Sequence, residues 1–75
     1  MARKRHRLVE RRRAQGHSQE SLAEQLQVDR STVARWESGE TEPQPYLRPR
    51  LAVLLRVSPD GLAALLRPDA PAPPR

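Results

Sequence analysis

The sequence predicts an all-α protein, a compact bundle of about five short helices, and three observations carry that reading. Apolar residues recur at helical spacing in a series of short stretches. Helix-opening residues such as Ser18, Asp29 and Ser58-Pro59 precede these stretches, and Gly16 and Gly39 close two of them. No segment alternates in the manner of a strand, and there is no internal repeat. Seventy-five residues allow one small domain. With 36% hydrophobic residues, no Phe, and Trp36 and Tyr46 as the only aromatics, a helical core can form but a deep substrate cavity cannot. The absence of Cys excludes disulfides and thiolate metal sites. No apolar run approaches the roughly 20 residues of a membrane span, and no signal-peptide core follows the basic start. These features predict a soluble cytoplasmic protein without a membrane partner.

The elements follow in order. Residues 1–5 read as a flexible basic arm. A first helix is expected from His6 to about Gln15, with a thin apolar face of Leu8, Val9 and Ala14, and Gly16 ends it. Ser18 caps a second helix, with Glu20 near its positive end and Leu22, Ala23 and Leu26 along its inner stripe. A third helix has Val33 and Trp36 inside and stops near Ser38-Gly39. Residues 40–45 form an irregular loop with two prolines and no apolar anchor. A fourth helix from about Tyr46 to Leu55 buries Leu47, Leu51, Leu54 and Leu55, with Pro49 tolerated in its first turn. Ser58-Pro59-Asp60 opens a fifth, completed by Leu62, Leu65 and Leu66. The domain therefore spans 6–67. Residues 68–75, PDAPAPPR, read as a Pro/Ala-rich disordered tail or linker, leaving room for a missing C-terminal domain or protein partner.

The join between helices two and three decides the function. In one continuous helix, at about 100° per residue, Leu22, Leu26, Val33 and Trp36 would share an arc of roughly 80°, but Val28 would lie about 120° from Leu22 on the polar face. Asp29 would also be a poor helix-interior residue. Splitting the segment makes Val28 the apolar plug of a tight turn and Asp29 the side-chain cap of the third helix. Ala23 lets the two helices approach. The third helix, held by Val33 and Trp36, then projects Arg30, Ser31, Thr32 and Arg35 outward, a shape the DNA major groove admits.

The charge agrees with a polyanion partner. Residues 1–13 carry a net +6 and the remaining 62 sum to −1. Thirteen of the 14 cations are Arg, suited to forked phosphate or guanine contacts.

Ser18-Gln19-Glu20-Ser21-Leu22-Ala23 followed by Val28-Asp29-Arg30-Ser31-Thr32-Val33-Ala34-Arg35-Trp36-Glu37-Ser38-Gly39 resembles the helix-turn-helix core of the phage repressor and Cro-type regulators, the xenobiotic-response-element family. The resemblance runs from about Leu8 to Leu66. It implies the lambda-repressor-like fold and transcription regulation through double-stranded DNA, with a recognition helix at about 30–38, inverted half-sites and a weak homodimer strengthened on DNA. Carried over by position, Arg30, Ser31 and Arg35 face bases. Gln19, Thr32, Ser38 and Arg12 face phosphates, and Arg12 with Glu37 forms a structural ion pair. The resemblance also implies a nucleoid-associated bacterial protein. The basic arm, with Arg3, Lys4, Arg5 and Arg7, is expected to follow the backbone or enter a minor groove.

Three departures from the family pattern stand out. Gln27 occupies the usual turn glycine, Arg11 and His17 occupy usual apolar positions, and Glu40 and Glu42 lie in a loop that is often basic. No catalytic, cofactor or metal site is expected: His6 and His17 lack nucleophile or ligand neighbours, and no glycine-rich phosphate loop exists. The alternative function is a protein-interaction adaptor, antitoxin- or coactivator-like, built on the same bundle.

Overall fold

The computed structural model describes residues 4–67, and among these it is all-helical. In chain order, α1 is His6–Ala14, α2 Gln19–Leu26, α3 Arg30–Ser38, α4 Arg48–Leu55 and α5 Pro59–Leu66, with a single 3₁₀ turn at Pro45–Leu47 leading into α4. The core joins Leu8 of α1, Leu22, Ala23 and Leu26 of α2, Val33 and Trp36 of α3, and Leu47, Leu51, Ala52, Leu55, Leu62 and Leu66 from the second half. Leu54 and Leu65 are only partly buried.

Local chemistry explains the helix starts. The Ser18 hydroxyl accepts from the Ser21 N–H at 2.9 Å while the Ser21 hydroxyl accepts from the Ser18 N–H at 3.1 Å, a reciprocal box closed by serine rather than glutamate. Ser58 accepts from the Gly61 N–H at 2.9 Å, with Pro59 at the first helical position. Asp29 departs from expectation. It holds the extended backbone of an N-cap, but its carboxylate makes no capping bond, and its own carbonyl takes the Thr32 N–H at 2.9 Å.

The first four helices end in one motif. After each, the residue beyond the last turn lies in the left-handed region: Gly16, Gln27, Gly39 and Arg56, with φ of 78°, 59°, 84° and 56°. Each time the following residue folds its N–H back five positions, as in Val28 to the Ala23 carbonyl and Val57 to the Ala52 carbonyl, both at 3.0 Å. At Gln27 and Arg56 no glycine relieves the Cβ crowding. There the next residue, Val28 or Val57, packs against the core and holds the turn. Gln27→Gly should therefore raise stability by about 0.5–1 kcal/mol, since relief of the left-handed conformation outweighs the added chain entropy. A thermal melt that falls on this substitution would refute the account.

The loop 40–45 is not unanchored. Pro43 is fully buried, and its carbonyl accepts from Arg48 Nε at 3.3 Å. Arg11 explains its own departure from an apolar residue. Its Nε donates to the Leu55 carbonyl at 2.7 Å and its Nη2 to the Arg56 carbonyl at 2.8 Å, closing the C-terminus of α4. The first helix gains by hydrogen bonds what its thin apolar face lacks.

Candidate nucleic-acid interface

The break between α2 and α3 sets the orientation of α3. Val33, Trp36 and Glu37 are buried on its inner side, so the opposite side faces solvent. At about 100° per residue the outward centre falls between Ser31 and Arg35, with Arg30 and Thr32 on opposite edges. Ser31, Arg30 and Arg35 are exposed, and Thr32, Ala34 and Ser38 are half-buried.

Two depressions flank this ridge. On the Arg30 edge an open groove of about 690 Å³ beside the N-terminus of α2 is lined by the cations Lys4, Arg12, Arg13 and Arg30, against the acids Glu20 and Glu37. Its cations and the free amides of that helix end give it the chemistry of a phosphate cradle. On the other edge a depression of about 300 Å³ brings Thr32 and Arg35 beside Thr41 and Tyr46. Tyr46 is 73% exposed there, a position that its sequence role as a helix start did not reveal.

Beneath the groove lies a polar knot. Arg12 and Glu37 are 6% and 4% exposed. Arg12 Nε meets Glu37 Oε2 at 2.5 Å and Nη2 reaches Oε1 at 3.3 Å, while Nη1 donates to the His17 carbonyl at 2.8 Å. Gln19 Nε2 donates to Glu37 Oε1 at 2.8 Å. Each Arg12 nitrogen thus has a partner within the protein, which leaves one N–H each on Nη1 and Nη2 at a groove that Arg12 also lines. Gln19 retains its second amide N–H at the mouth of α2. The Ser38 hydroxyl lies 3.0 Å from both the Arg35 carbonyl and Glu40 Oε2, so the residue set for phosphate already holds internal partners.

The basic arm needs the largest correction. Arg5 is not an arm residue: it is 5% exposed and tied to carbonyls of three distant segments. Arg7 lies within α1, one turn before Arg11, on the flank that Arg11 directs to the end of α4 and away from the groove. Lys4 does line the groove. Arg3 and the tail 68–75 lie outside the described residues. The loop acids, unexpected near DNA, are engaged internally. Glu42 stands between Arg5 at 3.7 Å and Arg48 at 3.6 Å, and Glu40 takes the Ser38 contact.

A ridge of polar side chains on the second of two tightly joined helices defines a helix-turn-helix protein. The sequence pattern described as helix-turn-helix matches residues 8–62. The chain belongs to the phage repressor and Cro-type helix-turn-helix family, whose members are DNA-binding regulators. No curated protein and no solved structure matches it significantly. No described helix is long and apolar enough to cross a membrane.

Proposed function

We propose that the protein is a sequence-specific transcriptional regulator that places α3 in the DNA major groove. The observation that carries this reading is the exposed Ser31–Arg35 ridge, held from below by Val33, Trp36 and Glu37 and bordered by a cationic groove. Arg35 and Ser31 present donors to base edges, and Arg30 reaches them from the groove edge. Lys4, Arg13 and the α2 end with Gln19 receive phosphates of one strand. Thr32, with Tyr46 beside it, faces the other. Ser38 contributes by exchanging an internal partner for phosphate. Selection of sites from random duplex DNA tests the reading: a defined motif of half-site length is expected, and recovery of unrelated sequences would end it.

Two copies are expected on inverted half-sites, associating weakly without DNA. Leu62 and Leu66 are buried in the core and Leu65 is partly so, which confines the open apolar surface of α5 to the small groove it shares with α4. Sedimentation at micromolar concentration should show monomer, and a tight dimer would contradict the proposal. The adaptor reading draws on a different feature. An apolar groove of about 290 Å³ between α4 and α5, lined by Pro49, Ala52, Pro59, Leu62, Ala63 and Leu66, could take a protein segment while α3 remains free.

A further inference from the structure

Arg5 sits where the end of α3, the loop after it and the end of α5 converge. Its Nε donates to the Leu66 carbonyl at 2.7 Å, in the last turn of α5. Its Nη1 donates to the Trp36 carbonyl at 2.5 Å and to the Thr41 carbonyl at 2.7 Å, at the end of α3 and in the loop beyond. Its backbone N–H donates to the Glu37 carbonyl at 2.7 Å, and Nη2 lies 3.7 Å from Glu42. Carbonyls at a helix C-terminus lack intrahelical donors and carry the negative end of the dipole, so one buried cation satisfies both α3 and α5. The same α3 end carries Glu37, whose carboxylate holds Arg12 and Gln19. A continuous chain of hydrogen bonds therefore runs from α5 through Arg5 and the exit of α3 to the start of α2.

We propose that Arg5 is a positioning residue for base recognition: a latch that fixes the tilt of α3 from its C-terminal end without touching DNA. The inference rests on the DNA-reading function proposed above. The N-terminal end of α3 is already set by the tight turn at Gln27-Val28, so Arg5 supplies the second point that a rigid rod needs. With the N-terminal end of α3 as the pivot, a tilt of about 5° moves the backbone at Arg35, about 7.5 Å along the helix, by about 0.7 Å and leaves Ser31 almost in place. That exceeds the tolerance of a hydrogen bond to a base edge, whose donor–acceptor distance spans only about 0.5 Å. Phosphate contacts from Lys4, Arg13 and the α2 end do not depend on the tilt of α3 in this way. Loss of the latch should thus erode discrimination among sequences and leave general DNA affinity in place.

The test compares wild type, Arg5→Lys, Arg5→Gln and a chain lacking residues 2–4 but retaining Arg5. Each is titrated against the wild type's selected site and a scrambled duplex at several salt concentrations, with helicity measured at the same temperature. Both Arg5 variants should lose about tenfold in affinity for the selected site, the scale of a hydrogen bond to a charged group, with less than about twofold change on the scrambled duplex. Their salt slope should be unchanged. The truncated chain should show the reverse, a shallower slope through loss of cations and an intact preference for the selected site. A slope reduced by about one in the Arg5 variants, with both duplexes weakened alike, would make Arg5 a phosphate contact and overturn the latch. Unchanged discrimination overturns it as well, as does loss of helicity in both variants, which would assign Arg5 to folding alone. If wild type itself does not discriminate, the DNA-reading function fails and the latch falls with it. If wild type discriminates and the variants do so equally, only the latch fails.

Discussion

Replacing Glu37 by alanine should destabilise the domain by about 3–5 kcal/mol, the cost of leaving a buried cation without its partner. Arg12 is 6% exposed, and two of its three engaged nitrogens point at the Glu37 carboxylate. Alanine also strips Gln19 of its acceptor. A domain of this size has a total stability of only about 3–10 kcal/mol, so the variant should be largely unfolded near room temperature. Urea titration followed by circular dichroism measures this directly. The double substitution Arg12→Met with Glu37→Met separates two contributions of the pair. Apolar replacement of both partners removes the desolvation cost, so folding should largely recover. Gln19 would still lack its carboxylate, so the α2 end should bind DNA less well than in wild type. If Glu37→Ala costs less than about 1 kcal/mol, the pair behaves as a solvated surface contact and the account of the knot is wrong.

The same knot shows where sequence reasoning reached and where it stopped. The helix order, the Ser18 and Ser58 caps and the burial of Leu22, Leu26, Val33 and Trp36 follow from local periodicity and capping chemistry, which act within a turn or two. Gly16 and Gly39 announced their left-handed turns. At Gln27 the family resemblance pointed to the place of a turn glycine, and the left-handed conformation is there. At Arg56 nothing announced it, because the turn is held by the packing of Val57 against the core, a tertiary effect. Asp29 was placed correctly in the chain, yet its carboxylate makes no capping bond and its own carbonyl takes the Thr32 amide.

Charge was the least legible property. The +6 charge of residues 1–13 points to a polyanion partner, but its cations have different tasks. Arg5 closes α3 and α5, Arg11 closes α4, and Arg12 neutralises Glu37. Their partners lie 25 to 61 residues away in sequence, beyond any local pattern, and only the Arg12–Glu37 pair was expected, from the family resemblance. Counting charges gives the sign of the partner and overstates how many side chains remain to meet it. Among the described residues, Lys4, Arg13, Arg30 and Arg35 are exposed cations on or beside the ridge.

Among these, Arg35→Ala should have the largest effect on recognition. Arg35 is exposed near the centre of the outward arc of α3, one turn after Ser31, so a groove seated on this ridge brings its guanidinium to the base edges. Removing a bidentate arginine should cost about 1–3 kcal/mol at one or two defined base pairs, a loss of about 5- to 150-fold, and leave preferences elsewhere intact. Arg30 lies on the groove edge beside Lys4, Arg12 and Arg13, where phosphate and base compete for it. Its alanine variant should therefore combine a positional loss with a shallower salt dependence, whereas Arg35→Ala should leave the salt slope nearly unchanged. Selection from random DNA with both variants, repeated at two salt concentrations, distinguishes the outcomes. Uniform weakening by Arg35→Ala across all sequences would make it a backbone contact, and the burden of reading would pass to Ser31 and Arg30, at the start of α3.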